Sequence, residues 1–291
     1  NMSMTQKENS NGARCMNIPM RPPVIDNSLL SRFEPITLER MDSIRLMNRI
    51  DTKFVTDTLM LKSILEDALN RGYMIFESDG ERVHAYDSIY FDTSNLQMFA
   101  EHRRGKLVRQ KIRTRVYLGS GLCFLEVKKK NNHSRTRKKR MEIPLADFQD
   151  FRNDPEACLW LSSHSDYSGD EVSPAVETSF SRITLVNKGL TERLTIDTSV
   201  AFRNLRTGAS ADLGAAVIIE LKQDGRTHSE MKDILLKNRV KPFRISKYCI
   251  GVSLTDSSTR TGRFKEKIRY IDKLNKNFYI KCYNPVLLRP L

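Results

Sequence analysis

The sequence predicts an α+β fold in which a closed antiparallel β-barrel forms a tunnel and helices pack outside it. Two observations carry this prediction. About eight stretches alternate apolar and polar residues with the two-residue period of a strand, and turn residues or short helical patterns separate them. Several of these strands carry charge on the face that alternation sets opposite the apolar one, so the second face is built for something other than a packed core. A small barrel can hold a ligand in its lumen.

The stretch 111–140, KIRTRVYLGSGLCFLEVKKKNNHSRTRKKR, shows the pattern most clearly. It reads as three strands joined at Gly119-Ser-Gly121 and Asn131-Asn132. Lys111, Arg113 and Arg115 share one face of the first strand, Glu126 and Lys128 one face of the second, and Lys138 and Arg140 one face of the third. The other face carries Ile112, Val116, Leu125, Val127, Met141 and Ile143. Like charges placed opposite one another destabilise a sheet, so a polyanion is needed to offset this arrangement. Arginine dominates the first strand, and its planar guanidinium matches phosphate oxygens in pairs.

The elements follow in order. Residues 1–35 read as a flexible polar segment containing Arg21-Pro-Pro23, and Ile36 to Met47 follows a loose helical period. Arg49 to Val55 is a strand with Arg49, Asp51 and Lys53 on one face. Asp57 or Thr58 caps a helix striped by Leu61, Ile64, Leu65 and Ala68, which ends at Gly72. Ala85 to Asp92 is a strand, and Phe99 to Arg104 a polar connection. After Pro144, residues 145–165 read as mostly helical. Residues 175–186, Leu190 to Val200 and Ala216 to Lys222 read as extended, with Ser229 to Asn238 helical. The tunnel domain covers 36–255, and 256–291 is a basic tail in which Phe264 to Leu274 forms a helix.

Composition narrows the class of partner. The chain carries 49 Lys and Arg against 35 Asp and Glu, a formal charge of +14 and a pI near 9.6. That excess points to an anion: nucleic acid, polyphosphate, nucleotide or a membrane surface. Five cysteines without a C-x-x-C pair argue against a zinc site or a disulfide framework and fit a reducing cytoplasm. The five histidines share no ligand spacing and read as surface residues. No apolar run approaches the ~18 residues of a membrane span, and the N-terminus has no apolar signal core.

Eight motifs, in order and spacing, resemble the VTC domain, the catalytic domain of the vacuolar transporter chaperone polyphosphate polymerases and part of the triphosphate tunnel metalloenzyme superfamily. They are Arg49-Ile-Asp-Thr-Lys53-Phe, Ser88-Ile-Tyr-Phe-Asp92, Lys111 to Tyr117, Phe124-Leu-Glu-Val-Lys128, Ser181-Arg182, Arg193-Leu-Thr-Ile-Asp197, Ile219-Glu-Leu-Lys222 and Ser246-Lys-Tyr248. The resemblance implies a tunnel barrel and transfer of the γ-phosphate of a nucleoside triphosphate, ATP by preference, to a growing polyphosphate chain. It implies that Lys53, Arg113, Arg115, Lys128, Lys138, Arg182, Arg193, Arg244 and Lys247 bind phosphates, with Arg140 a weaker candidate of the same kind. It implies that Glu220 holds Mn²⁺ or Mg²⁺.

The chain departs from the hydrolysing members of that superfamily at its first strand. Those carry Glu-x-Glu-x-Lys there, and this chain has Arg49-x-Asp51-x-Lys53. A cation for an acid weakens metal binding and strengthens phosphate binding, which favours holding a chain over hydrolysing a triphosphate. A triphosphatase of the same fold and a non-catalytic polyphosphate-binding module are the alternatives. No specific nucleic acid is expected, since stacking aromatics do not interleave with the cations. Glu126 and Asp197 read as structural partners of neighbouring cations, and Tyr90 and Phe91 as core. The expected location is the cytoplasm, with a separate membrane partner at the inner face of a membrane where chain growth is coupled to export.

Overall fold

The computed structural model describes residues 25–42, 49–132, 136–225 and 227–283. The segment 1–24, residues 43–47 of the expected first helix, and His133 lie outside the described residues.

One curled sheet dominates. Its main path joins β2 (Arg49–Asp57), β11 (Ala216–Asp224), β9 (Glu192–Asn204), β8 (Ser173–Val186), β4 (His84–Asp92), β5 (Arg109–Tyr117), β6 (Cys123–Lys130) and β7 (Thr136–Ile143), in that order. All neighbours on the path are antiparallel. Three short strands extend it: β1 (Glu34–Ile36) pairs parallel with β3 (Met74–Phe76), β3 pairs with β8, and β10 (Ser210–Asp212) pairs with β9.

The sheet is a half-barrel and does not close, which corrects the expected closed barrel. The reason lies at its two edges. The chain at 242–243 occupies the edge of β2: Phe54 bridges to Pro242, and the Phe243 amide donates to the Lys53 carbonyl at 2.7 Å. The backbone groups that a closing strand would need are therefore taken there. The facing edge, β7, exposes Arg137, Lys138, Lys139 and Arg140. Such a cationic edge resists pairing with another strand, most of all one that itself carries Arg49 and Lys53.

Helices fill three sides. On the convex face, α3 (Thr58–Asn70) and α6 (Glu230–Lys237) cover Phe54, Ile183, Leu194, Ile196, Ile219 and Leu221. Asp57 caps α3 by accepting from the Met60 amide at 2.8 Å, as its sequence predicts. Farther round the same face, α5 (Pro155–His164) packs over Ile112, Leu125 and Val127. The rest of the expected helical region 145–165 holds two single 3₁₀ turns, Leu145–Asp147 and Phe151–Asn153.

The concave face is divided. At one end of the strands it turns apolar through Val55, Val176, Val200, Phe202 and Ile218, and there α7 (Lys247–Thr255) lies on it. Gly251 permits this approach: a Cβ at that position would sit 2.7 Å from the Phe202 ring and 3.0 Å from Val176. Phe99 to Arg104, which read as a polar connection, belong to a helix, α4 (Gln97–Arg104). Its first amides are capped from a distance by Asp92, which accepts from Met98 and Phe99 at 2.9 Å each. The helix expected at Phe264 to Leu274 is α8 (Phe264–Tyr283), longer by more than two turns and tied into the fold by buried Phe264, Ile271 and Phe278. The remaining helices are short: α1 (Asn27–Ser31) and α2 (Leu38–Asp42). Among the described residues no helix is long and apolar enough to cross a membrane.

Candidate active site

The other end of the concave face is the cationic half, and strand parity alone delivers most of it. Directly paired residues of antiparallel neighbours share a face. The register sets Lys53 beside Glu220, Lys222 beside Arg193, Arg182 beside Asp197, Arg113 beside Glu126, Lys111 beside Lys128, and Lys128 beside Lys138. Lys53, Arg113, Arg115, Lys128, Lys138, Arg182, Arg193, Glu220 and, from the first turn of α7, Lys247 therefore meet across one groove.

Two carboxylates hold this lining together. Glu126 has no exposed surface, and one of its oxygens accepts from Arg113 Nε at 2.7 Å and lies 2.5 Å from Nη2 of the same guanidinium. Its other oxygen is in ion contact with Lys138, off the direction of a good hydrogen bond. Asp197 takes both arms of Arg182, Nε at 2.6 Å and Nη2 at 2.9 Å, and also accepts from Lys247. Burial alone would push both carboxyls up. The adjacent Arg113, Arg115 and Lys138 in one case, and Arg182 and Lys247 in the other, outweigh it and hold both well below the usual carboxylate range. Both acids thus act as the structural partners their sequence context predicts.

Arg115 is held differently. It is buried, its Nε donates to Ser88 Oγ at 2.8 Å, and its guanidinium lies 5.6 and 5.4 Å from the Tyr86 and Phe180 ring centroids. Arg182 and Lys247 use the same rings, at 5.3 Å from Tyr86 and 4.5 Å from Phe180 respectively. Aromatic faces stabilise cations without neutralising them. Burial and then Arg113 pull the Arg115 guanidinium down to about 10. Arg113 first, and burial second, pull Lys128 well below its ordinary value. Burial brings Lys138 down to about 8 despite Glu126. Each of these shifts records a positive charge that the free protein accommodates at a cost and that a bound anion would relieve.

Glu220 contrasts with the other acids. Its nearest ion contact is Lys222 Nζ at 3.7 Å, too long for a hydrogen bond. Burial opposes its charge, but Lys53, Lys222, Lys128 and Arg182 prevail and keep it ionised. It is thus a charged lumen carboxylate with ligating capacity to spare. Among the described residues no three of His, Cys, Asp and Glu gather as a metal site. The donor set therefore fits a magnesium-like cation held by one carboxylate and completed by phosphate oxygens and water, and does not fit an all-protein cage.

Two expected ligands stand apart. Arg140 is exposed on β7 with its guanidinium 4.5 Å from the Phe124 ring centroid, at the open edge. Arg244 is exposed in the 242–246 segment, whose position is fixed by Lys53 Nζ donating to the Ile245 carbonyl at 3.2 Å and Lys111 Nζ donating to Ser246 Oγ at 2.8 Å. At the mouth, Arg49 pairs with Asp51 at 2.8 Å.

Sequence reasoning missed Ser88, Tyr86, Tyr90, Phe180 and Lys222 as parts of the site. Tyr90, read as core, stacks on Tyr248 and receives a hydrogen bond from Arg113 Nη1 at 3.2 Å. Burial raises its hydroxyl but the cations around it win and bring it down to about 8. Tyr86, Ser88 and Tyr90 share the polar parity of their strand, which was the available signal. Phe91, of the opposite parity, is core against Phe151 as expected. His102, read as surface, is half-buried with Nδ1 3.1 Å from Cys249 Sγ.

Comparison with known proteins follows the same lines. The model of the VTC domain matches residues 48–255. Among solved structures, a putative adenylyl cyclase from Hippeastrum, described as having a dominant triphosphatase activity, aligns at 16% identity over 72% of this chain and 97% of its own, with a TM-score of 0.45. A putative adenylate cyclase from Vibrio parahaemolyticus aligns at 10% identity over 69% of this chain and 96% of its own, with a TM-score of 0.41. No curated protein sequence matches the chain.

Proposed function

The chain belongs to the VTC domain family, and on that premise we propose that it is a polyphosphate polymerase. In this reading it transfers the γ-phosphate of a nucleoside triphosphate, ATP by preference, to the end of an inorganic polyphosphate chain. The observation that carries the reading is the groove of desolvated cations around one uncommitted carboxylate. Arg113 and Arg182 are fixed by Glu126 and Asp197, and so are pre-aimed. Among the described residues Arg115 and Lys128 have no such ion pair, which leaves them for a ligand.

The terminal phosphate of the bound chain attacks the γ-phosphorus, a new P–O–P bond forms, and the bond to the β-phosphate breaks to release ADP. A phosphate nucleophile is already ionised near neutral pH, so no general base is needed. Positioning and charge stabilisation are what such a transfer requires of the protein. Lys53, Arg113, Arg115, Lys128, Arg182, Arg193 and Lys247 would orient the reacting phosphates and stabilise charge on their oxygens, with Lys138 and Arg140 contributing from the open edge. Glu220 would hold Mn²⁺ or Mg²⁺ together with phosphate oxygens, and when bound the metal supplies neutralisation of charge developing on the leaving group. Coupling to export would call for a separate membrane partner.

The test is incubation of purified protein with ATP and Mn²⁺ or Mg²⁺, with polyphosphate, ADP and orthophosphate measured together. Polyphosphate and ADP in step support the reading. Orthophosphate released without polyphosphate would make the protein a triphosphatase, and no turnover with tight chain binding would make it a binding module.

A further inference from the structure

The cations on the concave side of β5 continue past the groove just described. Alternate positions run Arg115, Arg113, Lys111, Arg109 to the start of the strand, where Arg109 pairs in register with Lys130 of β6. At about 3.4 Å per residue this file spans about 20 Å. Beyond its end, the 242–246 segment brings in Arg244, the turn just before α8 Arg263, and α8 itself Lys267.

Three of these side chains, Arg109, Arg263 and Lys267, are held in place. Lys267 Nζ donates to the Arg244 carbonyl and lies 4.9 Å from the Phe243 ring centroid. The Arg263 guanidinium occupies the space that a Cβ at Gly105 would need, and Gly105 has φ +81°. Arg109 donates through Nη1 to the Lys106 carbonyl at 2.7 Å. Phe264 and Ile271 anchor the helix that carries Lys267.

The cluster is costly in the free protein. Arg109 is depressed by burial and by Arg263 and Arg244, and Lys130 by burial, Arg109 and Arg244. Burial, Arg244 and Arg263 depress Lys267, with Glu266 partly compensating. Arg263 and Lys267 also stand at the N-terminus of α8, where the helix dipole disfavours positive charge. Repulsion and an adverse dipole coincide at one spot, and an anion there relieves both.

We propose that Arg109, Lys130, Arg244, Arg263 and Lys267 form a distal subsite that grips condensed phosphate emerging from the groove. It rests on the polymerase reading and deepens it, by making long chains better ligands than ATP or tripolyphosphate, which are too short to reach both places. Arg263 and Lys267 lie beyond the residues matched by the family model, so α8 adds this grip to the domain. A phosphate chain fits better than single-stranded nucleic acid. Continuity with the β5 file favours a bare polyanion, and the aromatic at this spot, Phe243, is already stacked on Tyr270 with centroids 4.6 Å apart.

The test compares wild type, the double variant Arg263→Ala/Lys267→Ala, and a charge-matched control, Lys273→Ala/Lys276→Ala, on the exposed side of α8. Equilibrium binding of long-chain polyphosphate, tripolyphosphate, ATP and single-stranded DNA is measured at about 0.15 M salt, with thermal unfolding confirming that each variant folds. The expected result is a loss of about five- to tenfold in long-chain affinity for the first variant only, with tripolyphosphate and ATP unchanged. Unchanged long-chain affinity, or equal losses for all phosphate ligands, overturns the distal subsite while leaving the groove reading intact. DNA binding as tightly as long-chain polyphosphate, with the same loss, assigns the cluster to nucleic acid and overturns it too. Wild type binding neither tripolyphosphate nor ATP would instead sink the groove reading, and this one with it.

Discussion

On β9, Leu194 and Ile196 face the helices with no exposed surface, while Arg193 and Asp197 face the groove from adjacent positions. The same contrast recurs on β5, where Ile112 and Thr114 are fully buried on the convex side and Arg113 and Arg115 line the concave one. The convex face is an ordinary core. The concave face is full of charges that burial penalises, some of which are paired within the protein and some held against ring faces. Stability and binding are thereby assigned to opposite parities of the same strands, and substitutions one residue apart should report different properties.

The largest effect on stability should come from the acids that hold the cationic face together. Asp197→Ala strands Arg182 and Lys247 in a desolvated site, and breaking a buried pair costs about 3–5 kcal/mol. Urea unfolding should show the loss, and a cost below ~1 kcal/mol would mean that solvent screens these charges more than their burial implies. Glu220→Gln should act on function: divalent-dependent turnover should fall by about a hundredfold or more while ATP affinity stays within about threefold, because the binding cations remain. Full turnover in that variant would make Glu220 a structural acid like the other two. On the convex face, Ile196→Val should cost about 0.5–1.5 kcal/mol and leave ATP affinity unchanged. A binding defect there would show that the two faces are coupled.

A smaller effect concerns pH. Lys138 lies at about 8 in the folded chain against an ordinary 10.5, and Tyr90 at about 8 against 10. Between pH 8 and 10 the unfolded chain binds more protons at these groups than the folded one, so stability should rise with pH in that window. Saturating tripolyphosphate should flatten the rise, because the anion offsets the repulsion behind it. A melting temperature that falls from pH 8 to 10 without ligand would contradict this account of the free groove.

Parity was legible in the sequence because a strand's alternation needs no tertiary information. Arg113, Arg115, Lys128, Arg182 and Arg193 could be set on one face from spacing alone, and Glu126 and Asp197 identified as partners from their cationic neighbours. Closure was not legible. It depends on Pro242 and Phe243 occupying the edge of β2, a contact between residues nearly 190 positions apart. Helix α4 was hidden because its N-cap, Leu96, sits at φ 56° with no capping side chain, and the capping oxygens come from Asp92. Arg244 could be matched to phosphate-binding cations by motif, but only the packing of α8 shows that its neighbours are Arg109, Lys130 and Lys267.

The central claim is that the buried concave cations, and not net charge, bind phosphate. The most direct measurement is calorimetric titration of tripolyphosphate into wild type, Arg115→Ala and Lys265→Ala at about 0.15 M salt, where exposed charges are screened. A charge-assisted hydrogen bond is worth about 1.5–3 kcal/mol, and ~1.4 kcal/mol is a factor of ten. Arg115→Ala should therefore weaken binding by about ten- to a hundredfold, with little change for Lys265→Ala on the exposed surface of α8. Equal losses in the two variants would contradict the groove and leave a diffuse electrostatic binder in its place.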